Sequence, residues 1–123
     1  LSESQIVSQL EKTDAIVTDL TGRPCAAFFR PPYGGRDKRV LETAAKAGYS
    51  SIYWSLDSWD AFRKGITSAE IRGRVMERVQ PGDVVLLHCG SKPTADALPS
   101  LISELGQRGY EIVSVSELIA AGH

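Results

Sequence analysis

The sequence predicts an α/β fold of parallel βα units, and three observations predict it. Short apolar runs alternate with segments of helical period along the chain. Strands and helices follow one another on short connections, the arrangement of a parallel sheet with crossover helices. No linker, repeat or low-complexity stretch interrupts the 123 residues, so residues 1–123 read as a single domain.

The first element is a helix. Ile6, Leu10, Val17 and Leu20 recur near helical spacing, Ser2 and Gln5 form a capping box, and Gly22 terminates the run. A strand at 26–30, Ala26-Ala27-Phe28-Phe29-Arg30, then runs into Pro31-Pro32-Tyr33-Gly34-Gly35, which no helix continues through. A helix over 37–47 closes at Gly48, and Ser51-Ile52-Tyr53-Trp54-Ser55-Leu56 is rich in strand formers. After a loop of charged and aromatic residues come a helix over 68–79, a Pro81-Gly82 turn and the buried-looking strand 84–87. A helix over 96–107 follows, then a strand at Ile112-Val113 and a short helix from Glu117 capped by Ser116. Four strands are too few to close a barrel, and periodicity alone does not separate an open sheet from part of a barrel.

Composition excludes several classes. Fourteen basic residues against fifteen acidic ones, without a run of like charge, lack the footprint of nucleic-acid or anionic-membrane binding. The expected partner is neutral or small. No apolar stretch approaches the roughly 20 residues that span a bilayer, and Leu1-Ser2-Glu3-Ser4 has neither part of a signal peptide. The chain starts on a helix cap without Met, and upstream sequence is expected. Cys25 precedes one predicted strand and Cys89 follows another. In parallel strands this separates them by about 15 Å, against the roughly 5.5 Å of a disulfide, so no bridge is expected.

Sites in parallel α/β folds gather at the carboxyl ends of strands. Arg30 ends the first strand, Asp57 and Asp60 follow the second, His88 ends the third and Ser114 the fourth. His88 emerges from four apolar residues into a partly desolvated place, where a neighbouring carboxylate suits its ring to proton transfer. The plainer alternative is a histidine satisfied by a local hydrogen bond. For Arg30 the alternative is a surface cation, but the rigid Pro31-Pro32 segment fixes its backbone, as orienting a carboxylate requires. Trp54, inside a strand, reads as packing, whereas Trp59 reads equally as packing or as a sugar-stacking wall. A Cys89 nucleophile is disfavoured, since adjacent strand residues face opposite ways.

At these residues the chain resembles the polysaccharide deacetylase family, whose NodB-homology catalytic domain is a distorted (β/α) barrel; the resemblance is to its C-terminal portion. Phe29-Arg30-Pro31-Pro32-Tyr33-Gly34 is similar to the family's Arg-x-Pro-Tyr motif, residues 54–60 to its aspartate-containing fourth motif, and residues 84–88 to its closing Leu-x-His motif. The resemblance implies that Arg30 tethers a catalytic aspartate, that the Tyr33 N–H helps hold the oxyanion, and that Asp60 pairs with His88. It further implies that His88 protonates the departing amine and Leu86 lines the acetyl pocket, with Pro32, Asp57 and Trp59 on the substrate side. Zinc or another divalent ion is implied as cofactor, but the motifs supplying its ligands and the catalytic base are not in the chain, and a preceding N-terminal segment is expected to carry them. An acetylated glycan is the implied substrate, in an extracellular or cell-envelope setting. Ala61 stands where the family often has tryptophan, and Cys89 where aspartate is common. Two rivals stay open: a noncatalytic carbohydrate-binding or scaffold fragment, and an open-sheet signalling domain with Asp57 as phosphoacceptor, which lacks the usual acidic cluster.

Overall fold

Helix α1, Glu3–Thr21, opens the computed structural model, which describes residues 1–35 and 37–122. Its start is the capping box expected from sequence: the Ser2 hydroxyl accepts the Gln5 N–H while the Gln5 side chain accepts the Ser2 N–H. Its end is Gly22, at φ 71, a left-handed position that glycine occupies without a Cβ penalty. The described residues divide into two compact units, Leu1–Tyr53 and Trp54–His123.

In the first unit α1 packs on α2, Lys38–Lys46, with Ile6, Thr43 and Ala44 buried. The Asp14 carboxylate accepts the Cys25 N–H at 2.7 Å and ties the segment after α1 back onto the helix. Strand β1, Phe28–Phe29, runs parallel to β2, Ser50–Ser51, with Phe28 opposite Ser50. Between them a 3₁₀ turn spans Pro32–Gly34.

In the second unit β3, Leu56–Asp57, runs parallel to β4, Val85–Leu86, with Asp57 opposite Leu86. Helices α3, Ser68–Arg78, and α4, Lys92–Gln107, cover the core. Leu56, Val75, Met76, Leu101 and Leu105 form one cluster, Ile66, Ile71 and Ala97 a second, and Leu87 packs against both. Arg72 of α3 pairs with Glu104 of α4 at the rim. A short helix, α5, Val115–Ala120, follows.

Helix existence and parallel pairing are as the sequence predicts; strand extents are not. The 51–56 run splits in two. One ladder ends where the Ile52 N–H reaches the Phe29 carbonyl, and the next begins where the Ser55 N–H reaches that of Val84. The backbone passes from one ladder to another within the run, so its strand-forming side chains make no single continuous strand. Strand composition does not suffice at Ile112-Val113 either, which is irregular and exposed. Ser114 therefore ends no strand: it caps α5 in a box with Glu117, the role expected of Ser116. Helix α4 starts before residue 96 because Ser91 caps it and Pro93 lies in its first turn, where a missing N–H costs nothing.

Ile71 has no exposed surface, so Ile71→Ala should destabilise the chain by about 2–5 kcal/mol in urea denaturation. Ile102→Ala, at a position 53% exposed, should stay within about 0.5 kcal/mol of the parent. Equal effects would show that the apolar seam between α3 and α4 is not the core.

Candidate functional site

His88 lies two residues past Leu86 on the path out of β4, so in an extended chain the two share a face while Cys89 takes the other. Leu86 is buried, and the His88 side chain remains 40% exposed. Waiting for it is Asp60, whose side chain is fully buried. One carboxylate oxygen lies 2.7 Å from His88 Nδ1, and the other accepts the His88 backbone N–H at 2.7 Å. The second oxygen also accepts the Thr94 hydroxyl at 2.8 Å.

This geometry sets the protonation of the pair. Burial alone would push the Asp60 carboxyl up, but the His88 ring, the His88 backbone N–H and the Thr94 hydroxyl outweigh it and hold the carboxyl below its ordinary value. An ionised carboxylate accepts, so Nδ1 carries a hydrogen and Nε2 takes no part in the pair. Nε2 makes no hydrogen bond among the described residues.

The turn that delivers Asp60 is built locally. Asp57, in β3, uses its carboxylate to accept the Trp59 N–H at 2.8 Å, and Ser58, fully buried, offers its hydroxyl to the Asp60 N–H at 3.4 Å. Trp59 sits at φ 66, and its indole carries the Arg74 guanidinium 3.3 Å from the ring centroid. One ring face is thus covered, and the residue stays 39% exposed. Trp54 is half-buried.

Arg30, Pro32 and Tyr33 belong to the first unit. Arg30 follows β1 directly, Pro32 opens the 3₁₀ turn, and Tyr33 lies within it at φ 57 with its side chain fully exposed. The Gly34 and Gly35 N–H groups bond back to Pro31 and Pro32, whereas the Tyr33 N–H makes no hydrogen bond among the described residues. Tyr33 and Trp59 are the only non-glycine residues at positive φ among those described. Both were singled out from sequence on other grounds, and such backbone strain gathers at functional sites.

Two contributors escaped the sequence reading. Thr94 carries no motif signal, because its third place in α4 becomes visible only once Ser91 is known to be the cap. Arg74 reads as one more cation on a polar helix face. Among the described residues no group of three His, Cys, Asp or Glu side chains could hold a metal ion, and no helix is long and apolar enough to cross a membrane. Cys25 and Cys89 are free thiols.

A family model described as polysaccharide deacetylase matches residues 1–52. A peptidoglycan-N-acetylglucosamine deacetylase of Bacillus cereus is 39% identical over 101 residues, covering 78% of this chain and 46% of that protein. The structure of the peptidoglycan deacetylase PdaC from Bacillus subtilis superposes with a TM-score of 0.85 at 29% identity, over 98% of this chain and 56% of that one. A CE4 family pseudoenzyme from Bacillus anthracis superposes with a TM-score of 0.84 at 30% identity, over 96% and 41%. The chain spans about half the length of the curated relatives just named or less.

Because the folded Asp60 carboxyl is held down, its contribution to stability is present above the unfolded carboxylate pKa of about 3.9 and is lost as pH falls through the lower folded value. Glu70 and Glu117 are also held down, each chiefly by hydrogen bonds from the N-cap residue of its helix, Thr67 and Ser114, so acid lability in general is shared. The difference between the parent and Asp60→Asn isolates the pair. Thermal midpoints from pH 7 to 3 should show the parent more stable at pH 7 and the gap closing toward pH 3; a constant gap would exclude an ionised Asp60.

Proposed function

The chain belongs to the polysaccharide deacetylase family, and from that premise we propose that it carries the proton-donating side of a hydrolytic site that removes acetyl groups from an N-acetylated, or O-acetylated, polysaccharide. The observation that carries this reading is the Asp60–His88 pair, in which one buried carboxylate grips both the ring and the backbone of His88 and leaves Nε2 without a hydrogen bond among the described residues.

Amide hydrolysis needs water to add to the acetyl carbon and the C–N bond to break, with a proton delivered to the departing nitrogen. His88 makes that last transfer in this reading, and Asp60, hydrogen-bonded to its ring, stabilises the imidazolium that precedes it. In this reading Arg30 orients the catalytic carboxylate and the Tyr33 N–H donates to the developing oxyanion. Leu86 lines the acetyl pocket, with Pro32, Asp57 and Trp59 on the substrate side. The described residues do not fit the divalent ion, zinc or another, that the family implies. The ion's ligands and the catalytic base belong, in this reading, to residues outside the 123. By the same reading residues 1–123 are one portion of a distorted (β/α) barrel domain, acting on acetylated glycan at the cell envelope or outside the cell.

The likeness to a pseudoenzyme favours one second reading, a noncatalytic carbohydrate-binding or scaffold role. Acetate release decides between them. The natural full-length protein should deacetylate oligomers of N-acetylglucosamine, and His88→Ala should lower kcat by about 10²–10⁴. Oligomer binding without acetate release from the parent would establish the second reading. The isolated 123 residues should take up no zinc in calorimetry; one tightly bound ion per chain, lost in His88→Ala, would place a metal site within them.

A further inference from the structure

We propose that Arg74 is a positioning residue for the Asp60–His88 pair, acting through the left-handed backbone of Trp59. Arg74 touches neither member of the pair. From the half-buried face of α3 its Nε donates to the Asp57 carbonyl at 2.7 Å, and its guanidinium lies over the Trp59 ring, so one side chain grips the turn at its first residue and at its third. The fourth residue is Asp60.

A tryptophan at φ 66 is held there against its own preference, because the Cβ crowds the neighbouring carbonyl. Other bonds define the turn: the Asp57 carboxylate takes the Trp59 N–H, and the Trp59 carbonyl accepts from Phe62 and Arg63. These bonds fix backbone groups on either side of Trp59, but none holds its side chain. Arg74 does, and a planar guanidinium suits both tasks at once, a donor at its edge and a flat face for the indole. Relaxation of Trp59 toward negative φ would rotate the next peptide and carry the Asp60 carboxylate away from the two His88 nitrogens, each 2.7 Å from it. An ordinary surface arginine would make neither contact.

The test uses the 123-residue chain and reads the hydrogen bond itself, as the downfield ring Nδ1–H proton of His88 in nitrogen-15 NMR. Arg74→Met should lose or broaden this resonance while far-UV circular dichroism is kept. Arg74→Lys, which retains charge but not the Nε donor or the planar stack, should lose it as well. Glycine accepts positive φ without strain, so Trp59→Gly should keep the resonance, and the double variant Trp59→Gly with Arg74→Met should restore it. An unchanged resonance in Arg74→Met, its loss only together with helix content, or failure of the double variant to restore it would each overturn the proposal. The consequence for catalysis rests on His88 being the proton donor, but the resonance does not. A chain with no deacetylase activity still reports whether Arg74 positions the pair.

Discussion

The buried carboxylate of Asp60 is the constraint on which the second unit's site depends. A carboxylate without exposed surface is tolerated only if its oxygens are satisfied, and here they are satisfied by a ring nitrogen, a backbone N–H and a hydroxyl. Each partner comes from a different piece of structure. His88 arrives on the exit from β4, Thr94 in the first turn of α4, and Asp60 itself on the turn after β3. Removing the carboxylate would leave those donors buried or half-buried without an acceptor, which costs more than the bonds themselves contribute. One side chain therefore joins the register of a sheet, the start of a helix and the orientation of an imidazole.

The ladders could not supply that rigidity. Each strand is two residues long and each sheet two strands wide, far below what is independently stable in water. The helices compensate. Three carry complete capping boxes, at Ser2, Thr67 and Ser114, and α3 and α4 enclose the two apolar clusters. Side chains extend what the backbone pairing leaves short: the Ser55 hydroxyl donates to Asp83 and accepts the Val84 N–H beside the β3–β4 ladder. Thus β3 and β4 are held in register largely by what lies next to them.

Much of this was legible in the sequence, and the boundary of legibility has a physical form. Helices were readable because cap, period and terminator lie within one segment: Ser2, Gln5 and Gly22 announce α1 without reference to anything distant. Strands were less readable because a strand is defined by a partner. Ile112-Val113 and the middle of 51–56 have strand composition but no ladder. The Asp60–His88 pair was recoverable since both residues sit in recognisable motifs at strand ends. Thr94 and Arg74 were not, as each owes its role to a tertiary neighbour that no local pattern encodes. Asp57 lies between: its place at the end of β3 was nearly foreseen, but its carboxylate's bond to the Trp59 N–H, which builds the turn, was not.

The two left-handed aromatics, one in each unit, sharpen what each turn can do. At Tyr33 and Trp59 glycine or asparagine would satisfy the backbone with less strain, so selection for the turn alone does not explain a large ring at either place. The rings are differently placed to act. Tyr33 is wholly exposed, whereas Trp59 has one face occupied by Arg74, leaving at most the other face and its edge for a ligand. Under the proposed substrate-side role, a sugar would meet Trp59 from one side only, so the indole would be a wall and not a clamp. With Ala61 standing where the family often has a tryptophan, any aromatic contact from this turn is directional. Its direction is fixed by the same arginine that holds the turn in place.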